Sequence, residues 1–174
     1  MVHRIFHIDL DAFFVSVERS LNPSLVACAS YSYEARDYGL RAGMLLSKAR
    51  RLCPQAVFIP GRYSRCQEAS ERFMKVLSEY TPFLEPMGID EAFMNMTGFE
   101  SLYGPLVGVA QVIKDRIKEE VKVTASIGIA SSKVTAKVAS DYDKPDGLFE
   151  VPTGQDASFL APMAVEELPG VGPR

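Results

Sequence analysis

The stretch "MGIDEAFMNM", residues 87–96, sets Asp90 and Glu91 side by side in a run whose other eight residues are uncharged and mostly bulky. Bulk of this kind reads as buried strand, yet an unpaired buried carboxylate costs several kcal/mol, and adjacent like charges add to that. The conflict eases if two strands, over 85–90 and 92–97, meet at the pair. On a straight strand the two acids would point to opposite faces, whereas at a hairpin tip the pleat is broken and both can reach one site.

Working outward, residues 3–9 (HRIFHID) form a short apolar strand, and "AFFVSVERSL" (12–21) follows with helical spacing before Asn22-Pro23 stops it. Residues 31–53 read as a turn around Gly39 and Gly43 followed by a short basic helix. Tyr63, Cys66, Ala69, Phe73, Val76 and Tyr80 recur at three- and four-residue steps, which predicts a helix over 62–80. Beyond the acid pair the order is helix (105–121), strand (123–130), helix (132–142) and strand (148–151). This is an α+β pattern: an antiparallel-leaning sheet backed by two helices, of ferredoxin-like kind. The polar stretch "VPTGQDASF" (151–159) reads as a linker into a new element.

The bulk numbers narrow the class. The chain has 174 residues, 47% hydrophobic and 24% charged, as in an ordinary soluble globular protein. No apolar run approaches the length of about 18 residues that a membrane span needs. The N-terminus carries acids in its apolar run and no small-residue cleavage site, so it does not read as a signal peptide. Cys28, Cys53 and Cys66 are odd in number with no CxxC pair, which favours free thiols and a cytoplasmic location. His3 and His7 alone make a poor zinc site, and a net charge of −3 argues against coating nucleic acid by charge alone.

Asp9, at the end of the first strand, is a third candidate acid, with Asp11 just beyond. Three carboxylates on one sheet edge repel unless something cationic sits among them. Mg²⁺ is the usual answer, a hard cation that prefers oxygen ligands. A pair of such ions can activate a hydroxyl nucleophile and steady a leaving group. Met94 and Met96 read as core fillers.

Four motifs occur in order: "HIDLDAFFVSVE" (7–18), "YEARDYGLRAGM" (33–44), "GIDEAFMNMTG" (88–98) and "DYDKPDG" (141–147). Together they resemble the Y-family translesion DNA polymerases of the DNA polymerase IV (DinB) type, over essentially the whole chain. The resemblance implies a palm from residues 1–10 and 82–160, inserted fingers over 11–81, and the start of a helical thumb at 161–174. It implies that Asp9, Asp90, Glu91 and the Leu10 carbonyl hold two Mg²⁺ ions, or Mn²⁺ as a substitute, with Glu91 at the metal that activates a primer hydroxyl. Phe13, Ser30, Tyr33, Arg36 and Lys144 match nucleotide contacts, and an Arg fork and a Lys point charge suit phosphate.

Phe14 matches the ring that obstructs a ribose 2′-hydroxyl. Phe13 and Phe14 lie about 100° apart on a helix, so they cannot share one core pocket. "LPGVGPR" (168–174) resembles the first half of a helix-hairpin-helix, in which Gly170 and Gly172 would offer amides to a DNA phosphate. Lys133 and Lys137, one helical turn apart, are further candidates for DNA phosphates. Gly39, Ala42 and Gly43 would leave little bulk over the nascent base pair.

The implied partners are primer-template DNA, a dNTP and a sliding clamp bound through a region outside this chain. Relatives of this type carry a further strand of the fingers where Leu25 and Val26 are adjacent here, and Gly88 and Asn95 stand where serine and aspartate are common. Other readings are another palm-type nucleotidyl transferase such as a diguanylate cyclase, a non-catalytic DNA-damage-response module that keeps the fold, and a plain phosphate-binding protein. The first gives no reason for Phe14, and the last needs no deoxy-selective gate.

Overall fold

The computed structural model describes residues 2–22, 33–41, 44–58 and 62–171. In chain order the elements are β1 (Ile5–Leu10), α1 (Phe13–Leu21), α2 (Tyr33–Asp37), α3 (Leu46–Leu52), α4 (Tyr63–Ser78), β2 (Leu84–Pro86) and β3 (Glu91–Asn95). They continue as α5 (Glu100–Tyr103), α6 (Leu106–Glu120), β4 (Ala125–Ala130), α7 (Lys133–Tyr142), β5 (Leu148–Glu150), α8 (Asp156–Leu160) and a 3₁₀ turn at Val165–Glu167. Two compact units divide the chain: Met1–Asp11 with Ser70–Arg174, and Ala12–Ala69.

The first unit is built on a five-stranded sheet of order β2-β3-β1-β4-β5. Its pairings are antiparallel except β4–β5, which is parallel. The class is therefore α+β with a mostly antiparallel sheet. Register decides which residues share a face. Phe6 lies between Met94 and Ile129, and Ile8 between Ala92 and Ile127, forming one wholly apolar face. His7 lies between Phe93 and Gly128, and Asp9 between Glu91 and Ser126, so the polar residues gather on the other.

All six residues of β4 are buried, which requires a cover on each face. Helix α7 covers the face that carries Gly128. A Cβ on Gly128 would overlap the Ala136 carbonyl oxygen and stand 2.8 Å from the Ala139 carbonyl carbon. Helix α6 also packs on β4, through a stripe in which Val109, Ile113 and Ile117 are buried at helical spacing. Met94 and Met96 are fully buried, in keeping with a packing role.

Two details differ from the reading of the sequence. The acid pair does not join two long strands: β2 stops at Pro86, residues 87–90 turn, and β3 begins at Glu91. The Met87 amide donates to the Glu91 carbonyl at 3.0 Å and so closes the turn. The stretch 151–159 is not a free linker, because α8 starts within it. Ser131 Oγ donates to Asp156 Oδ2 at 2.8 Å, and Phe159 stacks on Phe149 with ring centroids 5.4 Å apart.

The second unit has its own small core of Ala35, Leu40, Ala49 and Cys53, with Met44, Ala56 and Phe58 packed against it. Glu18 of α1 pairs with Arg65 of α4 at 3.1 Å. Cys53 and Cys66 are buried and not joined in a disulfide, while Cys28 lies outside the described residues. This unit ends inside α4, at Ala69. Among the described residues no helix is long and apolar enough to cross a membrane.

Candidate functional site

Asp9 and Glu91 are direct register partners on β1 and β3, so their carboxylates rise from the same face of the sheet. Asp90 is the last residue of the turn before β3, and its carbonyl accepts from the Leu10 amide at 2.9 Å. That bond fastens the turn to the end of β1 and keeps the three acids at one sheet edge. Burial pushes the Asp90 carboxyl above its usual range, and the Glu91 charge pushes it further. Burial likewise raises Asp9, to about 6, although the nearby Lys144 ammonium opposes the shift.

Two acids each have a lysine. Lys144 Nζ lies 2.8 Å from Asp9 Oδ2 and 2.7 Å from Asp141 Oδ1. Desolvation works against its charge, but the two carboxylates outweigh it and hold the ammonium well above the ordinary lysine range. Lys137 of α7 forms a short hydrogen-bonded pair with Glu91 Oε2. Burial pushes Glu91 up, yet the bond and charge of Lys137 hold it below its usual value.

Beneath this pair sits His7, wholly buried. Ser140 Oγ donates to the Lys137 carbonyl at 2.8 Å, so it accepts from His7 Nδ1–H at 2.7 Å. The tautomer follows: Nε2 carries a lone pair, into which Lys137 Nζ donates at 3.4 Å. Glu91 Oε2 lies 3.2 Å from the same nitrogen, and Lys137 supplies hydrogens to both acceptors. Burial first and the Lys137 charge second hold His7 neutral, with its pKa down at about 4.

The Leu10 side chain is a buried hydrocarbon, and the residue's one ligating atom is its backbone carbonyl oxygen. Lys133 pairs with Glu85 and lies 5.6 Å above the Phe93 ring. Phe13 is 3% exposed and Phe14 39%, so one ring is buried while its neighbour faces outward. Tyr33 and Arg36 belong to α2, and their side chains lie outside the described set. Gly39 has φ +77°, and Ser30, Ala42, Gly43 and Gly172 lie outside the described residues. Gly170 has φ +82°, a conformation that favours glycine.

Three residues escaped the reading of the sequence: His7, Asp141 and Ser140. His7 stands two residues before Asp9 on the same strand face, and Asp141 stands three residues before Lys144. Those spacings were the available signals.

Among the described residues no three acidic, histidine or cysteine side chains stand together as a ready metal cluster. The donor chemistry nonetheless fits hard cations. It is all oxygen, and burial raises both Asp9 and Asp90, a cost that added positive charge would relieve.

A sequence profile described as the impB/mucB/samB family matches residues 8–141. A DNA polymerase IV of Dehalococcoides mccartyi is 50% identical over 98% of this chain and 47% of its own length. The DNA polymerase IV of Bacteroides fragilis is 42% identical over 98% of this chain and 50% of its own. The first alignment runs over 185 positions against 174 residues here, so that relative carries positions this chain lacks. The chain spans about half the length of these curated relatives.

Among solved structures, an insertion ternary complex of Dbh DNA polymerase superposes with a TM-score of 0.88 at 30% identity, covering 97% of this chain and 54% of the other. A DinB family error-prone DNA polymerase from Sulfolobus solfataricus superposes at 0.87 with 33% identity, covering 97% and 53%.

Proposed function

Because the chain belongs to the impB/mucB/samB family, we propose that it supplies the catalytic sheet of a template-directed, low-fidelity translesion DNA polymerase. The reaction joins a primer 3′-oxygen to the α-phosphorus of a dNTP as pyrophosphate leaves. The observation that carries this reading is the pairing of Asp9 with Glu91 across β1 and β3, with Asp90 fastened beside them.

Asp9, Asp90, Glu91 and the Leu10 carbonyl oxygen would hold two Mg²⁺ ions, or Mn²⁺ in their place, which when bound acidify the hydroxyl and offset charge on the leaving group. The chain's own residues do the rest. Lys144, already charged beside Asp9, offers its ammonium to the triphosphate, a role shared with Ser30, Tyr33 and Arg36. Phe14, the outward-facing ring of the pair, is assigned to sugar discrimination, with Phe13 packed behind it. Lys133, Lys137, Gly170 and Gly172 are assigned to DNA phosphates. A sliding clamp would engage a region outside this chain.

The test is primer extension with Mg²⁺ and dNTPs by the full natural chain and by Asp90→Asn. Loss of about a thousandfold or more in the variant, with unchanged thermal unfolding, supports the assignment. Folded wild-type protein that extends no primer would turn the reading to a non-catalytic module of the same fold.

A further inference from the structure

The turn that presents Lys144 is gripped from behind by two buried charges that the reaction itself does not employ. Lys114, in the middle of α6, is only 6% exposed. Its ammonium donates to the carbonyl oxygens of Asp146 and Gly147, the latter at 2.9 Å, and lies 3.1 Å from Asp146 Oδ1. Its three hydrogens therefore meet three acceptors on one dipeptide.

Asp11, two residues beyond Asp9, is 2% exposed. Its Oδ2 accepts from the Asp146 amide at 2.8 Å and its Oδ1 accepts from Ser126 Oγ at 2.7 Å. Ser126 Oγ in turn accepts from the Gly147 amide at 3.2 Å. The Gly147 carbonyl also accepts from the Ile127 amide at 3.1 Å. Every backbone polar group of Asp146 and Gly147 is thus held by the sheet unit.

The local backbone admits little freedom either. Asp146 has φ +56°, and a Cβ on Gly147 would stand 2.6 Å from the Asp143 carbonyl carbon. Packing alone does not account for the charges at these positions. An apolar side chain of similar length can replace a buried charge at little or no cost when all that is needed is volume. What an ammonium and a carboxylate add is direction: each points at the backbone of one dipeptide, two residues from Lys144.

We propose that Lys114 and Asp11 are positioning residues which, through the backbone of Asp146 and Gly147, fix where Lys144 holds its ammonium and so govern capture of the nucleotide's triphosphate. The identity of that ligand rests on the polymerase reading; the grip on the turn does not.

The experiment uses Lys114→Met, Asp11→Asn, Lys144→Ala and the Lys114→Met/Lys144→Ala double variant of the full natural chain. Amide hydrogen exchange in residues 143–148 is the readout independent of the reaction. It should quicken about tenfold in Lys114→Met while β4 and α7 keep their protection. In primer extension, Lys114→Met should raise the dNTP KM about tenfold with kcat changed less than about threefold. The double variant should be no worse than Lys144→Ala alone, since both changes act through one group.

Unchanged exchange in the turn, equal losses through kcat, or effects that multiply in the double variant would each overturn the proposal. Should Lys114→Met fail to fold, Asp11→Asn reads the same turn from its other side. A wild-type protein that incorporates no nucleotide removes the polymerase reading, and exchange in the turn then decides the inference by itself.

Discussion

Asp9 and Glu91 are opposite one another on adjacent antiparallel strands, and each is matched by a lysine from the α7 end of the fold, Lys144 for Asp9 and Lys137 for Glu91. Like charges in direct register are unfavourable, and each lysine offsets one of them. The cations beside these two acids belong to the chain itself, so an added cation must compete with them.

That competition is measurable at Lys137. The ammonium sits on Glu91 Oε2, an oxygen a metal would need, and both side chains remain about one-quarter exposed. An ion pair this accessible is worth about 1 kcal/mol or less. Lys137→Met should therefore bind Mn²⁺ up to about fivefold more tightly, read by electron paramagnetic resonance without DNA or nucleotide. An unchanged Mn²⁺ affinity would show that the lysine does not contend for that oxygen.

Gly128 tests the seating of α7, and with it the grip of Lys137 and Ser140 on His7. A Cβ there meets backbone rather than a side chain that can swing away. Gly128→Ala should cost about 2–3 kcal/mol, seen as a lower urea midpoint at constant slope. Full stability in that variant would mean that α7 has room to shift.

How much of this was legible beforehand depends on whether a residue's partners lie near it in the chain. Asp9, Asp90 and Glu91 stand out because acids inside apolar runs violate the local pattern, and the short, largely apolar runs 3–9 and 123–130 mark the central strands. The turn at 87–90 was hidden because Met87 and Ile89 read as strand residues and the lone Gly88 between them is too weak a signal to place a turn. Lys114 reads as one of several charges in the second half of α6, and His7 as a polar residue in an apolar strand. Their meaning comes from Asp146 and Ser140, which lie 32 and 133 positions away. Helix α8 opens in a Pro-Thr-Gly stretch that reads as linker, and only its packing says otherwise.

That packing yields another prediction. Phe159 meets Phe149 and Tyr142 at ring centroid distances of 5.4 and 5.6 Å, beside the buried Ala139 and Val151. Phe159→Ala should destabilise the first unit by about 3 kcal/mol, the low end for a phenylalanine that is only partly buried. Limited proteolysis should then cut faster within residues 151–160 than elsewhere. Equal cleavage rates in variant and wild type would return the stretch to a linker.

Phe13 and Phe14 separate packing from selection within two adjacent residues. The rings meet edge-on at 5.6 Å, yet Phe13 is 3% exposed and Phe14 39%. Truncating the buried ring leaves a cavity, so Phe13→Ala should cost about 3–5 kcal/mol of stability. Truncating the exposed ring leaves none, and Phe14→Ala should cost less than about 1 kcal/mol. If Phe14 acts as an obstruction to the 2′-hydroxyl, its removal deletes a repulsive element. The preference for dNTP over rNTP should then fall at least about tenfold, measured as the ratio of kcat/KM values. A Phe14→Ala protein that stays stable and keeps its full preference for deoxynucleotides would take the gate away from this residue.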